Sequence, residues 1–291
     1  CTERFEYFGS GRMRIMALLQ VNMFSQTLKR TVPLQVVLPS DKVLSYGRTQ
    51  KESGPYKTLY LLHGLLGNHM DWVSNTNIQR LAEDRNLAVV MPAGENSFYI
   101  DQPIPNNDFG EYTGRELVEL TRRMFPLSHR REDTFIAGLS MGGFGAIRNG
   151  LKYYDTFGYI AVLSGAVQIF ELPLDSPGRS LFQEDACFGN LVDASLSDKN
   201  PRVAFQNLAL KRESSPSLSF PEIYMACGSE DELYLVNRSL ADFLKKGGAH
   251  VTYEEAPGGH NWTFWRSQIV KVLNWLPLDE NIAGISSGNV R

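Results

Sequence analysis

The sequence predicts an α/β fold: a mostly parallel central sheet with an antiparallel N-terminal start, helices on both faces and a loop-rich, cap-like insertion. Three observations carry this. Short apolar runs rich in Val, Leu and Ile alternate with amphipathic segments of helical period. The first two runs instead alternate apolar with polar residues, as half-buried antiparallel strands do. A serine flanked by glycines sits between a later apolar run and a helical segment, where the chain must turn sharply.

Along the chain, residues 18–25 and 32–38 supply the antiparallel start. Residues 58–62, 87–91 and 134–137 follow as short strands of the fully buried type, and 159–163, 222–226 and 250–254 continue the series. Between them the period changes to that of a helix. Leu117, Val118, Leu120 and Met124 mark one over 111–125, and Leu233, Leu235, Leu240 and Phe243 mark another over 232–246. A last helix at 262–275 follows the final strand. Residues 167–221 break the rhythm: they are rich in Ser, Pro, Asp and Gly, with one helical piece at 202–211. An insertion of that length is usually functional, and its place in the order predicts a cap or flap over the strand ends.

Residues 1–12 read unlike the start of a folded domain and are set apart as a non-native segment, with Met13 or Met16 as the natural first residue. The remainder, 13–291, contains no repeat or linker and is read as a single domain. A chain of this size buries roughly 70–75% of its unfolded surface, so it needs no metal or disulfide as a staple. The formal net charge of -3, with no basic block, argues against nucleic acid and anionic membranes as partners. Cys1, Cys187 and Cys227 are odd in number and lack paired spacing, which argues against a disulfide framework and a zinc site. A reducing, cytoplasmic setting fits this best. The longest uncharged apolar stretch, residues 156–170, falls short of the ~20 residues of a membrane-spanning helix.

The sharpest chemical signal is Gly138-Leu139-Ser140-Met141-Gly142, after the strand at 134–137 and before a helical segment. So tight a strand-to-helix turn lifts the serine hydroxyl above the sheet edge, and only small residues fit on either side. A serine hydroxyl is a weak nucleophile at neutral pH and needs a base within hydrogen-bond reach. His129 and His250 precede strands and so lie at the opposite sheet edge; His63 and His69 lie on the correct edge but come before the serine. His260 follows the final strand, after Pro257-Gly258-Gly259, and is the expected base. The third member is a carboxylate after the penultimate strand. Asp231 is favoured, with a helix N-cap as its bland reading and Glu230 and Glu232 as local competitors. Two backbone N–H groups must face the oxyanion, and they are assigned to Met141 and, from His63-Gly64-Leu65-Leu66-Gly67, to Leu65.

Other residues have weaker readings. Trp262 and Trp265 are candidates to shape an acyl pocket, although at helical spacing one of them belongs to the core. Tyr112 and Tyr234 are further pocket candidates, and Cys227 reads as a small apolar residue ending a strand. Asn237-Arg238-Ser239 and Asn261-Trp262-Thr263 match glycosylation acceptors by coincidence, since a glycan on the second would obstruct His260.

At these residues the sequence resembles the esterase D-like branch of the α/β-hydrolases, most closely the small bacterial tributyrin esterases. The resemblance runs from about Met16 to Pro277. It is carried by Leu61-Leu62-His63-Gly64, by Gly67-Asn68-His69 with Trp72, and by Phe135 to Gly143. Cys227-Gly228 with Asp231 and Tyr234, and Gly259-His260 with Trp262 and Trp265, complete it. It implies the α/β-hydrolase fold, a triad of Ser140, Asp231 and His260, no metal or organic cofactor, and hydrolysis of short acyl esters through an acyl-enzyme. His69, Trp72, Tyr234 and Trp262 are read as lining the substrate pocket. The partner expected is a small acyl ester, and the sequence allows a homo-oligomer. Within the same branch, S-formylglutathione hydrolases usually carry a Thr-Cys pair after the oxyanion-loop glycine and a histidine before the serine. Here those places read Leu66-Gly67 and Leu139, which disfavours that substrate. Feruloyl, cinnamoyl and acetyl-xylan esterases share the core, and acyl transfer to a sugar alcohol is the non-hydrolytic alternative. A binding protein that has lost its chemistry is disfavoured, because every triad position holds a competent residue.

Overall fold

A computed structural model of the protein describes residues 17–39, 55–171 and 184–278. Residues 1–12, Met13 and Met16, and part of the insertion (172–183) lie outside the described residues. Eight strands form one sheet: β1 (Ala17–Ser25), β2 (Arg30–Leu38), β3 (Thr58–Leu62), β4 (Ala88–Pro92), β5 (Thr134–Leu139), β6 (Tyr159–Leu163), β7 (Glu222–Gly228) and β8 (Val251–Ala256). Their order is β1-β2-β4-β3-β5-β6-β7-β8. β2 pairs antiparallel with β1 and β4, and all other neighbours are parallel.

The burial of each strand follows from its neighbours. β1 exposes alternate residues at one edge, whereas β3, β4 and β5 are buried along their whole length because helices cover both faces. Alternation divides the side chains between two cores. Tyr60, Leu62, Ile136, Ile160 and Val162 face the helices Leu117–Met124, Met141–Lys152, Pro201–Ser214 and Tyr234–Lys246. Leu59, Leu61, Phe135, Ala161 and Leu163 face Asp71–Asn75, Ile78–Asp84 and Trp262–Trp275. The register matters most for function. Leu62 pairs with Gly138, Leu139 with Leu163, and Leu163 with Ala226, so β3, β5, β6 and β7 end level on one edge. In open α/β sheets the carboxyl edge is where ligands bind.

Residues 167–221 are more helical than their composition predicts. A 3₁₀ turn (Val167–Phe170) and helices Glu184–Phe188, Leu191–Ser195 and Pro201–Ser214 replace the single expected piece at 202–211. The local reason is capping. Asn190 accepts from the Val192 and Asp193 N–H groups, and Asn200 accepts from Arg202 N–H with Pro201 as the first helical residue. The tertiary reason is a cluster of phenylalanines. Phe188 packs on Phe98, Phe144 and Phe170 at ring separations of 5.2, 5.8 and 5.3 Å, which fastens the insertion beside the first turn of the helix after Ser140.

A polar tie fastens it further along the same helix. Arg148 is buried and donates to the Asp198 carboxylate at 3.1 Å and to the Asp198 carbonyl at 3.1 Å, while Lys152 reaches the same carboxylate at 3.1 Å. Burial alone would push the Asp198 carboxyl up, but Arg148 and Lys152 outweigh it and hold the group below the ordinary range. Asp198→Asn leaves the buried guanidinium short of its counter-charge. Because the Asp198 side chain is 37% exposed and solvent-screened, the expected loss is about 1–2 kcal/mol, below the ~3–5 of a fully buried pair. A depressed carboxyl stabilises above its unfolded value of ~3.9 and loses that contribution as pH falls through the lower folded value. Urea unfolding should therefore show the parent losing stability between pH 4 and 2 more steeply than Asp198→Asn.

Candidate active site

β5 and the helix Met141–Lys152 are joined by one residue. Ser140 adopts φ 53° and ψ -118°, a backbone conformation that L side chains rarely take. The turn is locked from both sides, since Ser140 N–H donates to the Leu163 carbonyl at 2.9 Å and its own carbonyl accepts from Ala166 at 3.0 Å. A Cβ on Gly138 would lie 2.3 Å from the Gly142 carbonyl oxygen, and one on Gly142 would lie 2.5 Å from that of Leu62. Both flanking glycines are therefore required by backbone contacts, the first across the turn and the second against the end of β3.

His260 reaches this serine from the far side of the sheet. Its loop after β8 lies against the loop after β7, with Glu230 N–H donating to the Gly258 carbonyl at 3.0 Å. His260 Nε2 is 3.0 Å from Ser140 Oγ, and Nδ1 is 2.9 Å from Asp231 Oδ2 and 3.2 Å from Oδ1. A carboxylate only accepts, so Nδ1 carries the proton and the Nε2 lone pair faces the hydroxyl. The imidazole edge is held by Trp265, whose ring meets it at 4.9 Å and near a right angle.

The Asp231 side chain is fully buried, whereas Glu230 and Glu232 are exposed. Asp231 is not the N-cap of the following helix, which begins at Tyr234 with Leu233 in that place. It stands in the turn before it, and its Oδ1 accepts from Leu233 N–H at 2.9 Å. Burial pushes this carboxyl upward, but the hydrogen bonds from His260 and Leu233 help to outweigh it and hold the group below the ordinary range.

The loop after β3 lies directly beside the serine, because a Cβ on Gly64 would be 3.6 Å from Ser140 Cβ. Among the described residues neither Leu65 N–H nor Met141 N–H has an acceptor, and the latter is the first N–H of its helix. His63 braces this loop. Its Nδ1 donates to the Gly64 carbonyl at 2.7 Å, its Nε2 accepts from Gly94 N–H at 2.9 Å, and Tyr99 donates to its carbonyl at 3.1 Å. This pattern needs a neutral ring, and burial lowers its pKa accordingly. Leu66, at φ 63°, donates to Asn96 Oδ1 at 2.8 Å, and the Asn96 carbonyl accepts from the Cys187 thiol of the insertion at 3.2 Å.

The pocket residues expected from the sequence divide. His69, Tyr234 and Trp262 are half-buried. Trp72 is fully buried, donates to the Leu62 carbonyl at 3.0 Å and meets the Trp262 ring at 5.2 Å, so it supports the site from beneath instead of lining it. Tyr112 is likewise a core residue. Sequence reading passed over His63 as a brace and Asn96 as a tether, and neither carried a local signal of that part. No group of three or more His, Cys, Asp or Glu among the described residues is arranged to hold a metal ion, and no helix is long and apolar enough to cross a membrane.

The Esterase family model matches residues 25–276. The chain belongs to that family. This esterase is 43% identical over 266 residues to the acetyl esterase of Caldicellulosiruptor saccharolyticus, covering 90% of this chain and 98% of that one. It also resembles the substrate-bound fluorophosphonate-binding serine hydrolase F of Staphylococcus aureus, with a TM-score of 0.75, 29% identity and 90% and 98% of the two chains covered. The apoenzyme of an S-formylglutathione hydrolase from the same organism gives a TM-score of 0.75 at 29% identity, with 90% and 99% covered. The esterase has the α/β-hydrolase fold, is a serine carboxylesterase, and acts on a small-molecule ester.

In this esterase His63→Ala should strand the Gly94 N–H and the Gly64 carbonyl. The expected cost is about 2–3 kcal/mol of stability, with kcat lowered through a looser Leu65 loop. Thermal unfolding and steady-state kinetics on one ester would check both.

Proposed function

We propose that Ser140, His260 and Asp231 are the nucleophile, general base and orienting acid of this esterase, and that Leu65 and Met141 N–H groups form its oxyanion hole. The observation that carries the reading is the continuous hydrogen-bonded chain from Ser140 Oγ through both nitrogens of His260 to Asp231. Ser140 Oγ attacks the ester carbonyl carbon while its proton passes to His260 Nε2. The carbonyl π electrons move onto oxygen, where two N–H donors contribute roughly 10²–10³ each in rate. Collapse of the tetrahedral intermediate breaks the ester C–O bond, and His260 returns the proton to the departing alcohol. Water, deprotonated by His260, then cleaves the acyl-enzyme to give the acid and free serine. Asp231 stabilises the imidazolium formed in each half.

The acyl group is short in this reading. It rests on the similarity to the acetyl esterase and on the described part of the insertion, which is packed beside the site by aromatic rings and, among the described residues, offers no long apolar helix as a lid. The insertion acts as a wall within a single domain. A cytoplasmic setting is part of this reading, and the buried thiols of Cys187 and Cys227 support it. A second reading, hydrolysis of a thioester such as S-formylglutathione, is favoured by the similarity at 29% identity and a TM-score of 0.75.

Ser140→Ala should lower kcat/KM by about 10⁴-fold or more at an unchanged melting temperature. A fluorophosphonate should add one mass increment, on the peptide that carries Ser140; labelling elsewhere would overturn the assignment. Each buried CH₂ can contribute ~0.8 kcal/mol, so a deep channel would make kcat/KM climb with acyl length. With p-nitrophenyl esters the expected profile instead peaks between acetyl and butyryl and falls by octanoyl. A maximum on S-formylglutathione or methyl ferulate would replace the short-acyl reading.

A further inference from the structure

Just after β3 the chain makes a four-residue turn beside Ser140. Gly67 N–H donates to the Gly64 carbonyl at 3.2 Å, and of the two central residues Leu66 has φ 63° whereas Leu65 keeps a negative φ. That is the pattern of a type II turn, whose third position calls for glycine or asparagine. The sequence instead puts glycine at both ends of the turn and leucine at the one place that needs a left-handed backbone. The Leu65 side chain packs against the core, but Leu66 is 85% exposed, so burial does not repay its strain. A lone exposed leucine needs no explanation. One held in a strained conformation does, and such residues gather at ligand clamps.

The place of this side chain is fixed from outside the loop. Leu66 N–H donates to Asn96 Oδ1 at 2.8 Å, and the Asn96 carbonyl accepts from the Cys187 thiol at 3.2 Å. It is also close to the reacting atoms. A Cβ on Gly64 would be 3.6 Å from Ser140 Cβ, and the two residues onward to Leu66 span at most roughly 7 Å. Leu66 therefore stands at the rim of the site, next to the residue whose N–H faces the oxyanion. Two other parts of an ester leave the carbonyl carbon, the acyl chain and the alcohol. An acyl chain from acetyl to butyryl ends close to the carbonyl, in space enclosed by the protein, and a side chain 85% in solvent lies outside such a space. The alcohol is the part that extends past the rim.

We infer that Leu66 is a specificity-determining residue: its exposed side chain receives the apolar part of the alcohol, so the substrates are short-acyl esters of alcohols that are apolar next to the ester oxygen. This rests on the reading of Ser140 as the nucleophile and of the acyl group as short. The test holds the acyl group constant and varies the alcohol, comparing kcat/KM on methyl acetate and hexyl acetate. The parent should prefer hexyl acetate. Leu66→Asn keeps a residue that tolerates the left-handed turn and removes the apolar surface, and Leu66→Gly removes both surface and strain. Each should lower the hexyl-to-methyl ratio by about tenfold, the discrimination that one or two methylenes in apolar contact supply. Leu66→Met retains the apolar bulk and should keep the ratio within about threefold of the parent. The melting temperature of Leu66→Gly should not fall, whereas a leucine that merely stabilised the loop would lower it. On p-nitrophenyl acetate and butyrate the acyl ratio should move less than about twofold in every variant. An unchanged hexyl-to-methyl ratio in Leu66→Asn, an equal fall on both acetates, or a change confined to the acyl ratio overturns the inference, and Ser140→Ala still inactive shows that the site reading stands. Parental activity of Ser140→Ala, or a maximum at octanoyl in the acyl series, removes the reading beneath it and this inference with it.

Discussion

At the end of β5 the chain turns from strand to helix within one residue, and Ser140 takes φ 53° to do so. Left-handed backbone at a non-glycine residue is strained by roughly 1–3 kcal/mol and persists only where the surroundings over-determine it. Here they do. The β6 strand supplies a carbonyl to Ser140 N–H, the chain after β6 supplies an N–H to its carbonyl, and two glycines let the helix start lie against β3 and β5. The same geometry leaves the first N–H of the helix beside the serine, without an acceptor and at the positive end of the helix dipole. Exposure of the hydroxyl and a free N–H beside it are thus one backbone decision.

The surrounding elements hold that turn and its neighbours in register. His63, Trp72 and Asn96 each bind a backbone group of the β3 end or of the loop that follows it, so the Leu65 N–H is presented by three independent fastenings. The insertion joins the same system. Its Cys187 reaches Asn96, its Phe188 packs on Phe144, and its Asp198 anchors Arg148 two turns along the helix that follows Ser140. A wall so attached is coupled to the site through packed rings and short hydrogen bonds, and composition alone gives it too little order.

The electrostatics follow a single pattern in which buried groups keep the state that their partners require. Asp231 is held toward its ionised form against its burial, with His260 and Leu233 donating to it; His63 stays neutral because burial and an N–H donor both oppose a second proton. Fixed donors of this kind are worth more in a water-poor site than in solution, and they need no reorganisation when charge develops on the imidazole. Membership of the Esterase family and 43% identity to an acetyl esterase agree with a site arranged for acyl chemistry.

Much of this was legible in the sequence, because strand burial, helix period and the glycine-serine turn are local properties. The eight strands, the antiparallel start and the last helix were written in period and β-branching, and chain order alone eliminated four of five histidines. Asp231 was favoured over Glu230 and Glu232 in the sequence, and tertiary structure adds the contrast in burial, which depends on which side chain faces the β8 loop. The helix at 202–211 was legible, but Glu184–Phe188 was missed because Phe188 answers to Phe98 and Phe144, distant in the chain and without local period. Trp72 looked like a pocket residue and is a buried support. The sequence by itself determined which residues could do chemistry, because side-chain type and chain order are enough for that. Which of them do it together was decided by the sheet, because only the parallel register of β3, β5, β6 and β7 brings their carboxyl ends to one edge.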